Sequence, residues 1–453
     1  MMKLSFLGAA GTVTGSKYLL AWQDKKILID CGLFQGLKKL RLRNWAPLEI
    51  YPGSVDAVLL THAHLDHSGY LPLFVRNGFA GPVYCSDATA DLCRILLKDS
   101  AYLQEKDAEF ANRHGFSKHR PALPLYTGRD AEKAIKALRP IDFGAVQQLG
   151  DRITARFQHA GHILGAALVK LEMGGRSIVF SGDLGRLNDP VMHRPARIRT
   201  ADYLVLESTY GNRKHNNVDV QTKIATIVNR TAERGGKIIV PAFAVGRTQS
   251  LLYHLERLKV EGRIPNIPVF LDSPMAINAS DIYCRYPDSH RLSEEDCISA
   301  CNVAEYTRKV EQSKALAHLQ MPAIIISASG MATGGRILHH LKHFASDHRN
   351  TLLFTGFQAA GTRGRNIVDG VDRIKMHGEY ISINADVENL DALSAHADSD
   401  EILEWLGGFE RAPDTTFITH GEPDASAALA ERIRSELGWR CVMPELGMEA
   451  DLS

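Results

Sequence analysis

The stretch THAHLDHSG at residues 61–69 places three histidines and one aspartate within six positions, from His62 to His67. The preceding run AVLL at 57–60 predicts a short buried strand, and the following GYLPLFV predicts a turn that enters a helix. Imidazoles lower helix propensity and titrate near neutral pH, so a cluster of them needs a reason. Because the motif stands where a strand ends, the position at which α/β proteins place their chemistry, it indicates a metal site.

The length and amino-acid composition of the chain narrow the classes of protein to which it can belong. The chain has 453 residues, which predicts two or three domains, with 45% apolar and 23% charged residues as in an ordinary globular protein. Lys and Arg number 53 against 52 Asp and Glu, which argues against coating of nucleic acid but leaves room for a local basic groove. Seven scattered cysteines without a CxxC pair predict reduced thiols, a cytoplasmic location and no structural zinc finger. The sequence contains no run of 18 apolar residues, so we expect no membrane span.

Two patterns of predicted elements divide the chain. Up to about residue 210, short aliphatic strands alternate with turns, which predicts two packed sheets with helices outside. From 211 to 376, helices predicted at about 218–233, 247–259 and 335–345 alternate with strands. That alternation predicts βαβ units and a parallel sheet in a second domain. Residues 377–453 are predicted to return to short strands with one helix.

Other residues that can bind metal stand at the ends of predicted strands beside small residues: His162, Asp183, His396 and His420. A single histidine beside glycine is more often structural, whereas HxHxDH can present ligands to two metals from one turn. Imidazole and carboxylate suit Zn²⁺ at roughly 2.0–2.2 Å. We therefore predict two zinc ions per chain, without excluding manganese or iron.

The predicted zinc ligands fall into two sets joined by one carboxylate. The first ion is assigned to His62, His64 and His162, and the second to Asp66, His67 and His420, with Asp183 as the bridge. A water between two such ions loses a proton near neutral pH and becomes the nucleophile.

These motifs resemble the metallo-β-lactamase superfamily and, within it, the β-CASP nucleases. THAHLDH, AGHILGA, SGDLG and a late histidine resemble the metallo-β-lactamase fold; ESTYG at 207–211, LSAHAD at 393–398 and ITHGEP at 418–423 resemble the additional β-CASP motifs. The group is similar to the endonuclease of eukaryotic messenger-RNA 3′-end processing, and the bacterial short form is expected because no tail follows the last motif. The resemblance implies an α/β fold, with a metallo-β-lactamase αββα sandwich at 1–210 and 377–453. A β-CASP domain inserted at 211–376 would be a parallel sheet flanked by helices.

The resemblance also implies roles for single residues. Asp183 would bridge the metals, Glu207 would orient His396, and His396 would be the general acid; with Asp66 they form the expected catalytic set. The alternative for Glu207 is a strand-end acid that caps the next turn. A histidine at 420 is typical of the RNA-acting members, whereas DNA-acting members tend to carry an apolar residue there.

Two segments after predicted strands offer small residues, hydroxyls and arginines for phosphate binding, SASGM at 327–331 and GFQAAGTRGR at 356–365. The predicted substrate-binding residues are Ser327, Ser329, Gly330, Gly361, Thr362, Arg363 and Arg365. The alternative is that both segments are tight strand-to-helix turns and that the arginines pair with local acids. The expected partner is single-stranded RNA in a basic slot between two domains, with no membrane partner and with a homodimer left open.

The sequence thus predicts a zinc-dependent ribonuclease that hydrolyses phosphodiester bonds with a metal-activated hydroxide. Internal cutting is expected, with 5′ exonuclease action as a further activity. The alternatives are a hydrolase of a small thioester, lactone or lactam, a DNA nuclease, and a non-catalytic RNA-processing subunit. The long insertion argues against a small substrate, and the full set of ligands argues against a subunit without activity.

Overall fold

The computed structural model describes residues 2–115, 117–215 and 219–452. The chain divides into two compact units. The first unit consists of Met1–Asp189, His193–Lys214 and His396–Ser453, and the second of Pro190–Met192 and His215–Ala395. Each unit is described by itself below.

Two seven-stranded sheets form the first unit. One sheet contains β1 (Met2–Phe6), β2 (Tyr18–Trp22), β3 (Lys25–Ile29), β4 (Ala57–Leu59), β5 (Val83–Cys85), β6 (Leu138–Pro140) and β22 (Glu449–Leu452), in the order β22-β1-β2-β3-β4-β5-β6. The other contains β7 (Val146–Gly150), β8 (Ile153–His159), β9 (Ala167–Met173), β10 (Arg176–Phe180), β11 (Tyr203–Glu207), β20 (Thr415–Thr419) and β21 (Cys441–Val442), in the order β21-β20-β11-β10-β9-β8-β7.

Alternate residues of these strands form the apolar core between the two sheets. Leu4 and Phe6 of β1 meet Phe157, Val169 and Phe180 of the second sheet, and all five are buried. The period-two pattern is the one expected of strands with one face toward the core. It confirms the prediction of two packed sheets for this part of the chain.

The described residues of the first unit also form seven α-helices. They are α1 (Lys38–Arg43), α2 (Leu65–Ser68), α3 (Leu71–Arg76), α4 (Asp87–His114), α5 (Gly128–Ala137), α13 (Ser399–Leu406) and α14 (Pro423–Arg432), with a π-helical turn at Ile433–Leu437 and a 3₁₀ turn at Pro52–Ser54. Helix α4 contacts β6 of one sheet and α14 contacts β20 of the other. Among the described residues, no helix is both long enough and apolar enough to cross a membrane.

A six-stranded parallel sheet is the centre of the second unit. It contains β12 (Lys237–Pro241), β13 (Val269–Leu271), β14 (Glu305–Tyr306), β15 (Ala323–Ser327), β16 (Thr351–Phe354) and β19 (Asp386–Asn389), in the order β14-β13-β15-β12-β16-β19, beside a hairpin of β17 (Arg373–Met376) and β18 (Glu379–Ser382). The helices are α6 (Val220–Glu233), α7 (Arg247–Val260), α8 (Pro274–Tyr283), α9 (Glu294–Asn302), α10 (Val310–Leu316), α11 (Ile337–Phe344) and α12 (Arg363–Val368), with 3₁₀ turns at Pro287–Ser289 and Asp391–Leu393.

Both faces of this sheet are buried. Ile238 and Val240 of β12 belong to one apolar cluster, whereas Ile239 between them belongs to the other. A parallel sheet covered on both faces reads as a continuous apolar run, which is what KIIVP and AIIIS show. The prediction of a parallel sheet flanked by helices is therefore confirmed.

The three helices expected in the second unit are present, at 220–233, 247–260 and 337–344. Residue 218, where the first of them was expected to begin, lies outside the described residues. The second unit extends to Ala395. Strand β19 pairs in parallel with β16 and therefore belongs to the six-stranded sheet of this unit. The boundary of the inserted domain at 376 stays a prediction.

Candidate metal centre

Six chain segments of the first unit present polar side chains next to the ends of strands or helices. Strand β4 leads into the turn with His62 and His64, and α2 follows with Asp66 and His67. The other segments contribute His162 between β8 and β9, Asp183 after β10, Glu207 at the end of β11, His396 before α13 and His420 after β20.

The loops that carry His162 and Asp183 pass each other too closely for side chains. A Cβ on Gly185 would lie 2.0 Å from the carbonyl carbon of Gly161, and Gly161 itself has a φ of +76°. Only glycine fits such an approach without displacing the backbone. The small residues noted in AGHILGA and SGDLG thus bring two ligand candidates together.

A first group of donor atoms comes from His62, His64, His162 and Asp183. Nε2 of His62 lies 3.1 Å from Nδ1 of His64, and Nε2 of His162 lies 3.2 Å from the same atom. Both Nε2 atoms are 3.4 Å from Oδ2 of Asp183. Four donors around a tetrahedral zinc ion would be separated by roughly 3.3 Å, given bonds of about 2.0–2.1 Å. The observed separations fit that geometry.

A second group comes from Asp66, His67 and His420. Nε2 of His67 is 3.1 Å from Nε2 of His420 and 3.1 Å from Oδ1 of Asp183. Nε2 of His420 is 3.5 Å from Oδ2 of Asp66. Asp183 therefore turns one carboxylate oxygen to each group, as a bridging ligand would. The donor set of nitrogen and carboxylate oxygen suits Zn²⁺ in both groups.

Burial sets the protonation of the first group. Burial, followed by the charge of His62, lowers the pKa of His64 to about 3. Burial, followed by the charge of His396, lowers the pKa of His162 well below its usual value. These imidazoles are therefore neutral at physiological pH, and the neutral imidazole is the form that binds a metal ion.

The carboxylates in and beside the second group favour the protonated form of its two imidazoles. Burial lowers the pKa of His67, but the carboxylates of Asp183 and Asp30 outweigh it and raise that pKa well above the usual value. Burial also lowers the pKa of His420, but the charge of Asp183 raises it, and the pKa lies above its usual value. The buried carboxylates of Asp183 and Asp30 are stabilised by a positive charge close to them. A protonated imidazole or a bound metal ion can supply that charge.

Asp30 orients His67, a role that our sequence analysis missed. Its Oδ2 accepts a hydrogen bond from Nδ1 of His67 at 2.7 Å, and its Oδ1 accepts one from the backbone of Thr61 at 2.7 Å. The bond leaves Nε2 of His67 for the donor group, which is the usual arrangement around a metal-binding histidine. The signal in the sequence was an acid at the end of the apolar strand KKILI, directly before Cys31.

Glu207 and His396 form a pair beside the first group. Nδ1 of His396 lies 3.0 and 3.2 Å from the two carboxylate oxygens of Glu207, and its Nε2 lies 3.9 Å from Oδ2 of Asp183. Glu207 is buried and also accepts hydrogen bonds from the backbone of Leu184 and Thr209. It thus contacts both His396 and the turn that follows β11, and its role toward His396 stays a prediction.

The serine and threonine residues predicted to bind substrate lie in the second unit and have local partners. The Ser327 hydroxyl is buried and donates to the carbonyl of Asp272 at 2.9 Å. The Ser329 hydroxyl is 2.8 Å from that of Thr333, and Thr362 caps α12. Their assignment to RNA binding stays a prediction.

The glycines and arginines of the same two segments are also used locally. A Cβ on Gly330 would meet the ring of Phe243 at 2.5 Å, and Gly361 has a φ of +80°. Arg363 donates to the carbonyl of Lys375 at 2.9 Å, and Arg365 pairs with Asp369 at 2.7 Å. The alternative of strand-to-helix turns with locally paired arginines thus describes much of what these residues do.

Comparison with known proteins finds a matching family for each of three parts of the chain. Family models match the metallo-beta-lactamase superfamily over residues 11–215, the Beta-Casp domain over 248–367 and the Zn-dependent metallo-hydrolase RNA specificity domain over 380–444. "Ribonuclease TTHA0252" of Thermus thermophilus is 38% identical, covering 95% of this chain and 95% of its own length.

More distant relatives match over almost the whole of this chain. "Transcription termination factor FttA" of Pyrococcus abyssi is 35% identical and that of Methanosarcina mazei 32%, each covering 96% of this chain and 69% of the relative. Among solved structures, a protein of unknown function from Enterococcus faecalis V583 covers 100% of both chains with a TM-score of 0.57 and 14% identity. That last likeness concerns the fold alone.

Proposed function

The chain belongs to the β-CASP group of metallo-β-lactamase-fold hydrolases, and from this premise we propose that it is a zinc-dependent ribonuclease. It hydrolyses phosphodiester bonds of single-stranded RNA, mainly by internal cutting, with 5′ exonuclease action as a second mode. Support for RNA as substrate comes from the family description of residues 380–444 and from the printed name of the Thermus relative.

The observation that carries the proposal is the position of Asp183. Its two carboxylate oxygens face two separate groups of ring nitrogens, at 3.4 Å from His62 and 3.1 Å from His67. Two zinc ions held there would make hydroxide available near neutral pH and stabilise charge on the phosphate. Asp66 and His420 complete the second group, and His162 and His64 the first.

His396 supplies the general acid in this proposal. Glu207 occupies its Nδ1 side, so the proton on Nε2 is directed toward the donor groups and can pass to the leaving oxygen. Removal of this imidazole should slow turnover by about 10²–10⁴-fold, the usual contribution of one acid–base group.

The test compares cleavage of an end-labelled single-stranded RNA with that of its DNA counterpart by the zinc-loaded protein. We expect metal-dependent cleavage of RNA, its loss in Asp66→Ala, and slow cleavage with unchanged zinc content in His396→Ala. His348→Ala is the matched control, since that side chain is 86% exposed, belongs to the second unit and is not a member of the metal centre.

The product ladder separates internal from terminal cutting. Survival of both strands together with hydrolysis of a thioester, lactone or lactam would contradict the ribonuclease while leaving the metal centre intact. Preferential cleavage of the DNA strand would contradict the choice of substrate. Loss of zinc in His396→Ala would make that residue a ligand rather than an acid.

A further inference from the structure

We propose that Cys284, Cys297 and Cys301 form a site whose three thiolates bind a thiophilic metal ion of the Zn²⁺ class. The site lies within the second unit and contains none of the residues of the centre described above. It is independent of the proposed ribonuclease activity.

Two helices bring the three thiols together. Cys284 directly follows α8, and Cys297 and Cys301 both belong to α9. Residues four apart lie on the same face of a helix, so the two cysteines of α9 point to one side. The spacing differs from CxxC, which is why the sequence pattern did not reveal the group.

The sulfur atoms already converge. Sγ of Cys284 lies 3.7 Å from Sγ of Cys301 and 2.7 Å from Sγ of Cys297, and all three atoms lie within 4.8 Å of one another. Thiolates around tetrahedral zinc would be separated by roughly 3.8 Å, given bonds of about 2.3 Å. The Cys284–Cys301 pair has that separation, the Cys284–Cys297 pair needs a side-chain shift of about an ångström to reach it, and the Cys297–Cys301 pair lies within 4.8 Å.

The presence of three sulfur atoms, rather than two, favours a metal site over a disulfide bond. A disulfide would use two thiols at about 2.05 Å and leave the third without a role. A metal ion uses all three, and soft thiolates select zinc and similar ions over the harder cations.

Exposure decides how an ion would enter. Cys297 is buried, whereas Cys284 and Cys301 are partly exposed. An ion can therefore arrive from solvent, and its fourth position is left to water or to a small external ligand. Three protein ligands with one open position is the pattern of zinc sites that exchange ligands.

The first experiment is a titration of the reduced, full-length protein with Co²⁺, followed by near-ultraviolet absorption. Thiolate bound to cobalt gives an intense charge-transfer band, whereas the centre around Asp183 offers only nitrogen and oxygen donors. We expect the band in the wild type and its displacement by Zn²⁺. We expect Cys301→Ala to lack the band and Cys441→Ala, a buried cysteine of the first unit, to keep it.

A second measurement does not depend on the stability of a variant. Alkylation of the wild type with and without Zn²⁺, mapped by peptide mass, should show zinc protection at Cys284 and Cys301, the two partly exposed thiols of the group. Absence of both the band and the protection would overturn the proposal, as would a band that persists unchanged in Cys301→Ala. A disulfide between Cys284 and Cys297 that forms in place of metal binding would overturn it as well.

Discussion

At the scale of single residues, the site depends on carboxylates that are buried beside imidazoles. Asp30, Asp183 and Glu207 are all nearly inaccessible to solvent, and each has a histidine within hydrogen-bond distance. An unpaired buried carboxylate would be destabilising, so each charge needs a cation or donors close to it. Asp30 and Glu207 meet that need through one histidine and nearby backbone or hydroxyl donors.

Asp30 offers a prediction about a residue that binds no metal itself. Asp30→Asn keeps the size of the side chain but weakens its hold on Nδ1 of His67. Loss of such an orienting partner usually lowers metal affinity about 10–100-fold. We expect that loss for the second ion only, measured by competition with a chelator. Asp56→Asn, which alters a surface pair with Lys25, is the control; equal affinities in the two variants would contradict the role of Asp30.

At the scale of elements, sequence periodicity predicted much of the second unit because its strands are buried on both faces and its helices are amphipathic. Helix α7 was expected at 247–259 and is present at 247–260. Strand β19, DVEN, is half-buried and has no apolar run, so nothing in its sequence indicated that it joins a sheet. Its partner β16 supplies the pairing, and only tertiary structure reveals such a contact.

A buried histidine of helix α7, His254, leads to a prediction of how the stability of the second unit depends on pH. Burial lowers the pKa of His254 to about 4, with Asp219 opposing weakly. The unfolded chain binds a proton near pH 6.5 and the folded chain does not, so stability falls as the pH drops from about 6.5 to 4. The loss attributable to this group is about 3 kcal/mol.

A comparison of the wild type with His254→Leu isolates this contribution, because all other titrating groups are common to both proteins. We expect the unfolding midpoint of the wild type to fall further than that of the variant between pH 7 and pH 4.5. Parallel loss of stability in the two proteins would show that His254 takes up its proton in the folded state.

At the scale of the whole molecule, the metal centre combines residues from both ends of the first unit. His62 to Glu207 precede the long segment of the second unit, His215–Ala395, in the chain, and His396 and His420 follow it. The parallel pairing of β11 with β20 sets Glu207 beside Thr419 and so carries His420 to the site. The motifs at strand ends indicated which residue types could bind a metal, but the sequence did not indicate that β11 pairs with β20. Asp30 and the cysteine group were missed because their partners are distant in sequence or irregular in spacing.

The central claim is that Asp183 bridges two metal ions, and diffraction from zinc-loaded crystals at the zinc absorption edge tests it most directly. We expect two anomalous peaks roughly 3.5–4 Å apart, one among His62, His64 and His162 and one among Asp66, His67 and His420. Asp183 should lie between them. A single peak at full zinc loading, or two peaks without Asp183 in contact with both, would contradict the account.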